Sequence, residues 1–168
     1  MSAYKLENFI MVNNLCKYCI PNICKDNLNL DGRCTDKFKD FLTDLHFYAK
    51  YMNYDINSFI STRKFNRDEL SQLTIKYFGF TPKIMLDNIR LEIAIKSITE
   101  NSYSEPTGNS CGFGKKRTFE RILKRRFNMT FSQIRRLIVN SKNPEKKRKE
   151  LIDYLWESGK KIRRKIVV

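Results

Sequence analysis

Apolar side chains recur along this chain at spacings of three and four, broken by short runs of turn formers, a pattern that predicts helices from end to end. Between Asp36 and Tyr51, Phe38, Phe41, Leu42, Leu45 and Tyr48 form one stripe, while Asp36, Asp40 and Asp44 mark a solvated acidic side interleaved with Lys37 and Lys39. From Asp55 to Phe65 a short helix turns Ile56, Phe59 and Ile60 inward. Asn66 then caps a second helix, with Glu69 completing a capping box, Leu70, Leu73 and Tyr77 on one face and Gly79 ending it. Thr81 and Pro82 open a longer helix to about Thr99, with Met85, Leu86, Ile89, Ile93 and Ile98 inward and Arg90 and Glu92 off that stripe. Glu100 to Asn109 is polar and rich in turn formers, and reads as a hinge. Gly114 to Arg126 forms another helix, whose buried side is Phe119, Ile122, Leu123 and Phe127. A last short helix starts at Asn143-Pro144-Glu145, carries Leu151, Ile152, Leu155 and Trp156 on one side, and ends before Gly159; the basic tail KKIRRKIVV follows.

The pattern contains a repeat. A shift of forty-nine positions lays Phe78-Gly79-Phe80-Thr81-Pro82 over Phe127-Asn128-Met129-Thr130-Phe131, and lays Leu70, Gln72, Leu73 and Lys76 over Phe119, Arg121, Ile122 and Arg125. A period of this size means one supersecondary block used twice, most simply a helix-turn-helix. The expected fold is all-α: two helix-turn-helix subdomains joined by a long connector helix, a small Cys-rich N-terminal module and an extra C-terminal helix. The corresponding divisions are residues 1–50, 51–99, 100–140 and 141–168.

At residues 52 to 137 the sequence resembles the DNA-binding region of the AraC/XylS family of transcription regulators. The segments that carry the resemblance are FGFTP followed by IRLEIA in the first copy, and CGF with FERILKRRFNMTFSQIRR in the second. Lys64 lies fifteen positions before Gly79 and Gly112 sixteen before Asn128, an asymmetry of the two turns that the family shares. Lys64 stands where a turn glycine is usual and Phe131 where proline is usual, and Pro106 and Gly108 interrupt the leading helix of the second copy. The resemblance implies a regulator, of the activating kind, that inserts two recognition helices into the major grooves of double-stranded DNA and meets RNA polymerase. By position, Arg67, Asp68, Ser71, Gln72 and Ile75 would face one groove. In the second unit Lys116, Arg117 and Arg121, with Lys115, would touch bases or phosphates, and Lys124 and Arg125 would hold phosphate.

Charge agrees with a polyanionic partner. The 168 residues hold 33 Lys and Arg against 18 acids, a net charge of +15, and nineteen of those basic residues lie after position 110. That concentration leaves a second reading open, a general nucleic-acid-binding structural protein in which the basic final third coats DNA or RNA. No Ser/His/Asp or Cys/His constellation and no phosphate-cradling glycine loop is present, so the chain reads as a binding protein rather than an enzyme. With no apolar run of about eighteen residues and no secretion signal in MSAYKLENFIMV, the expected location is the cytoplasm, at the nucleoid.

A reducing compartment changes how the cysteines read. Cys16, Cys19, Cys24 and Cys34 fall within nineteen residues, which favours a metal over disulfides. Four thiolates suit a structural zinc, bound at about 2.3 Å, or an iron–sulfur cluster acting as a redox sensor, and the spacing does not separate the two. Cys111 is expected to be a small buried residue at the turn of the second copy.

Overall fold

The computed structural model describes residues 32–98 and 111–166, and all the regular structure among them is α-helical. Among the described residues seven helices follow one another: α1 Gly32–Tyr48, α2 Ile56–Arg63, α3 Arg67–Phe78, α4 Pro82–Lys96, α5 Lys116–Phe127, α6 Phe131–Val139 and α7 Pro144–Ile166. The leading helix expected in the second copy falls outside the described residues.

Local chemistry sets most of the boundaries. Asp55 accepts from the Ser58 amide at 2.9 Å. Asn66 accepts from the amides of Asp68 and Glu69 at 2.8 Å and 3.2 Å. Both caps satisfy donors that have no partner within the first turn. The α3–α4 and α5–α6 turns share one geometry. Gly79 (φ 75) and Asn128 (φ 55) end their helices in the left-handed region. Two residues later Thr81 and Thr130 cap the next helix through the amides of Ile84 and Gln133. Gln133 accepts in return from the Thr130 amide at 2.8 Å. That exchange completes a capping box. Lys64 closes α2 at φ 49, so the turn where glycine is usual keeps its left-handed backbone with a lysine.

α4 is the centre of the molecule. Met85, Leu86, Asn88, Arg90, Leu91, Ala94 and Ile95 are all buried, and α1, α3 and α7 pack around the helix. The stripe of α1 covers the first unit through Phe41 against Phe59, ring centres 5.1 Å apart, and Phe38 against Phe78 at 6.3 Å. Burying each such ring stabilises by about 1.5–3 kcal/mol. Opposite that stripe, Arg63 pairs with Asp40 and Asp44 at 3.8 and 3.6 Å, which gives this part of the acidic side a protein counter-ion.

Three expectations are corrected. α1 runs from Gly32 and ends at Tyr48, which is 49% exposed and stacks on Tyr54 rather than joining the core. α7 continues past Gly159 to Ile166, so the helix expected to stop before Gly159 runs on into the basic tail. An isolated glycine costs a helix only about 1 kcal/mol. Arg90, read as lying off the buried stripe, is 5% exposed. Its Nε donates to the Ala49 carbonyl at 2.7 Å, and its Nη2 to those of Tyr51 and Tyr54 at 3.1 and 2.9 Å. These carbonyls belong to the loop between α1 and α2, where no helix supplies their donors, and a guanidinium offers several at once. Burial pulls the Arg90 pKa down, and the Asp87 carboxylate opposes the shift.

Candidate nucleic-acid interface

In α5 the apolar and basic residues occupy opposite sides. Phe119, Ile122, Leu123 and Phe127 are buried, whereas Lys115, Lys116, Arg117, Arg121, Lys124 and Arg125 are exposed. Arg117, Arg121 and Lys124 follow one another at intervals of four and three and so share a face. Lys115 occupies the cap position and makes no side-chain cap bond, and the first turn holds no acidic residue. The positive end of the helix dipole therefore adds to the cationic side chains instead of being cancelled. Lys124 donates to the Asn128 carbonyl at 3.0 Å and Lys116 faces Glu120 at 3.8 Å. Both pairs are exposed, and such pairs are worth less than about 1 kcal/mol. A phosphate could displace either one.

Arg126 does not share that face. It is half-buried, with its guanidinium carbon 6.0 Å from the ring centre of Phe80 in the first unit. Burial lowers its pKa, with the Asp87 carboxylate opposing. The run of basic residues that looks uniform in sequence is thus divided between a surface stripe and one side chain that joins the two units.

On α3, the five expected residues occupy the equivalent face. Arg67, Asp68 and Gln72 are exposed, and Ser71 and Ile75 are partly so. Arg67 is oriented by Asn57 on α2, whose Oδ1 accepts from its Nη2 at 2.8 Å. Charge separates the two faces: on α3 Arg67 and Lys76 are balanced by Asp68 and Glu69, while the α5 stripe is cationic. The starts of α2, α3 and α4 surround a cleft of about 340 Å³ lined by Asp55, Asn57, Arg67, Ser71, Thr81 and Lys83. Sequence spacing gave no sign of Asn57 or Lys83 beside this surface, since both belong to neighbouring helices.

Cys16, Cys19 and Cys24 lie outside the described residues, as does the side chain of Cys34, which stands in the first turn of α1. Among the described residues no cluster of three or more histidine, cysteine or acidic side chains is placed to hold a metal ion. Cys111 is buried, as expected. Among the described residues no helix is long and apolar enough to cross a membrane. In comparisons with known proteins, no family model, no curated protein and no solved structure matches this chain.

Proposed function

We propose that the chain is a sequence-specific regulator of transcription, a binding protein rather than an enzyme, that reads double-stranded DNA with α3 and α5 as recognition helices in an AraC-type pair of helix-turn-helix units. The observation that carries this reading is the duplicated turn, a left-handed cap followed two residues later by a threonine cap, attached both times to a helix whose outer face is polar and accessible. Gln72 offers a bidentate partner for adenine, Asp68 an acceptor for the cytosine amino group, and Arg117 and Arg121 bidentate donors for guanine. Lys115, Lys116, Lys124 and Arg125 would hold phosphates, and Ser71 and Ile75 would line the groove beside Gln72. As a regulator at the nucleoid the protein would also need a surface for RNA polymerase. Cys16, Cys19, Cys24 and Cys34 would supply either a zinc anchor or an iron–sulfur sensor, which metal analysis and a visible spectrum after anaerobic purification distinguish.

The cationic stripe on α5 favours a second reading, a general nucleic-acid coat with little preference for sequence. The two differ in specificity. Selection of bound duplexes from a random pool, followed by titration of the selected and scrambled sequences at one salt concentration, should give a preference of about a thousandfold or more for a regulator. A ratio near one would leave the coating protein.

A further inference from the structure

α7 lies beyond the two repeated units, and its buried side is shared between them. Trp156 donates from Nε1 to Glu92 Oε2 on α4 at 3.1 Å, and its ring meets Phe80, in the α3–α4 turn, edge-on at 5.9 Å. The Leu155 carbonyl accepts from Nδ2 of the fully buried Asn88 at 3.2 Å. Two turns earlier, Arg148 donates from Nε and Nη2 to the Ile98 carbonyl at 2.9 and 2.6 Å, just past the end of α4. On the other side Tyr154 packs against Phe127, the last residue of α5, with ring centres 5.8 Å apart, and α7 runs against α6.

The two units also meet on the opposite side of α4, through Arg90, and at Phe80, through Arg126. Its guanidinium carbon is 5.9 Å from the ring centre of Phe113, and its Nε abuts Gly112. Contacts made by single side chains leave the units room to turn about them; a helix packed along both removes that freedom. Packed interfaces of this kind hold discrete arrangements and do not deform continuously.

From this geometry we infer that α7 fixes the distance and angle between α3 and α5, with Arg148 and Trp156 as the positioning residues, so that the protein accepts its two half-sites at a single spacing. The consequence for DNA rests on the function proposed above; the fixed geometry of the free protein does not. Inserting one base pair moves the second half-site by about 3.4 Å and turns it by about 34° around the duplex axis, more than a fixed pair of helices can follow.

Two measurements on the full chain test this. Nitroxides attached through ketone-bearing amino acids at the exposed positions 72 and 121 leave the native cysteines untouched and report the α3–α5 distance without DNA. The wild-type background should give one narrow distribution, and the variant carrying Arg148→Ala with Trp156→Phe one about twofold broader, as for a hinge released. Lys149→Ala on the exposed side of α7 should leave it narrow. A wild-type distribution as broad as the variant's, or a variant as narrow as wild type, overturns the inference. If the double variant fails to fold, Arg148→Ala alone carries the comparison, since it removes only the bonds to Ile98 and to Glu145. The second measurement uses the duplex selected by the wild type, with its half-site spacing changed by one or two base pairs. The wild type should lose about tenfold or more in affinity and the double variant less than about threefold. A wild type that tolerates every spacing overturns the inference, whereas one that selects no sequence overturns the proposed function and leaves the distance measurement to decide the role of α7.

Discussion

Arg90 and Gly112 are in direct contact across the two halves of the molecule: a Cβ placed on Gly112 would stand 2.7 Å from Arg90 Nε, and 2.4 Å from the Ala49 carbonyl to which that nitrogen donates. The arginine gathers the loop between α1 and α2, and the turn before α5 rests on the arginine. With φ at 84, Gly112 also holds a left-handed backbone conformation. Any other residue would be strained there.

Gly112→Ala should therefore destabilise the protein by about 2–4 kcal/mol, combining left-handed strain with a close approach to backbone that cannot yield. Urea unfolding should show a lower midpoint with an unchanged slope.

Arg90→Lys should cost about 3 kcal/mol, although it keeps the charge, because the Ala49 and Tyr54 carbonyls lose guanidinium donors, while that of Tyr51 keeps the Tyr54 amide. An ammonium cannot reach the three carbonyls of Ala49, Tyr51 and Tyr54 in the fork geometry of the guanidinium. Faster amide exchange across residues 49–54 should accompany the loss.

Lys64→Gly should stabilise by about 0.5–1 kcal/mol, because a left-handed lysine carries a steric penalty that glycine lacks. The lysine sits at φ 49. Asn128, at φ 55, is the other left-handed residue with a side chain among those described. Asn128→Gly should be close to neutral, since asparagine tolerates that region. Thermal melting of the two variants side by side checks both.

Asp55→Ala should cost about 1 kcal/mol at neutral pH through loss of the α2 cap. The Ser58 amide, followed by smaller hydrogen bonds from Asn57 and the Ser58 hydroxyl, holds the Asp55 pKa below its ordinary value of 3.8. A carboxyl lowered in the folded state stabilises above its unfolded pKa and loses that contribution as pH falls through the folded pKa. The gap between Asp55→Ala and wild type should then narrow below pH 3.8, while Asp55→Asn, which caps without titrating, should show no such acid-dependent loss at that site. Urea midpoints at neutral pH and at about pH 3 measure the effect.

On DNA, Lys124→Ala and Arg125→Ala should each weaken all sequences alike and reduce the slope of log affinity against log salt by about 0.9. Gln72→Ala should relax preference at one base position, costing about 1–3 kcal/mol against the selected site alone. Salt titrations with selected and scrambled duplexes separate the two behaviours. A uniform loss for Gln72→Ala would count against base reading by α3.

Most helices, several of their caps and most of their apolar sides were legible along the chain, whereas the ends of α1 and α7 and the exposure of Tyr48 were not. Asn66, Gly79, Thr81 and Thr130 act on amides and carbonyls within four residues of themselves. The side of α5 that holds Phe119, Ile122 and Leu123 follows from helical periodicity alone. The exposed faces of α3 and α5 were legible for the same reason, as what remains once the buried side is assigned. Features that depend on partners distant in the chain were not legible there. Arg90 lies off the apolar stripe yet is buried, because its acceptors stand 36 to 41 positions earlier. Arg126, seven positions after Phe119, stands on the buried side of α5 by periodicity, but that it meets Phe80 depends on how the first unit packs there. Asn57 orients Arg67 across a turn, and α7 finds its carbonyl at Ile98 fifty positions before Arg148. Periodicity and capping are short-range, so a sequence displays them; where a buried charge finds its acceptors is fixed only when separate helices pack and leave particular carbonyls without donors.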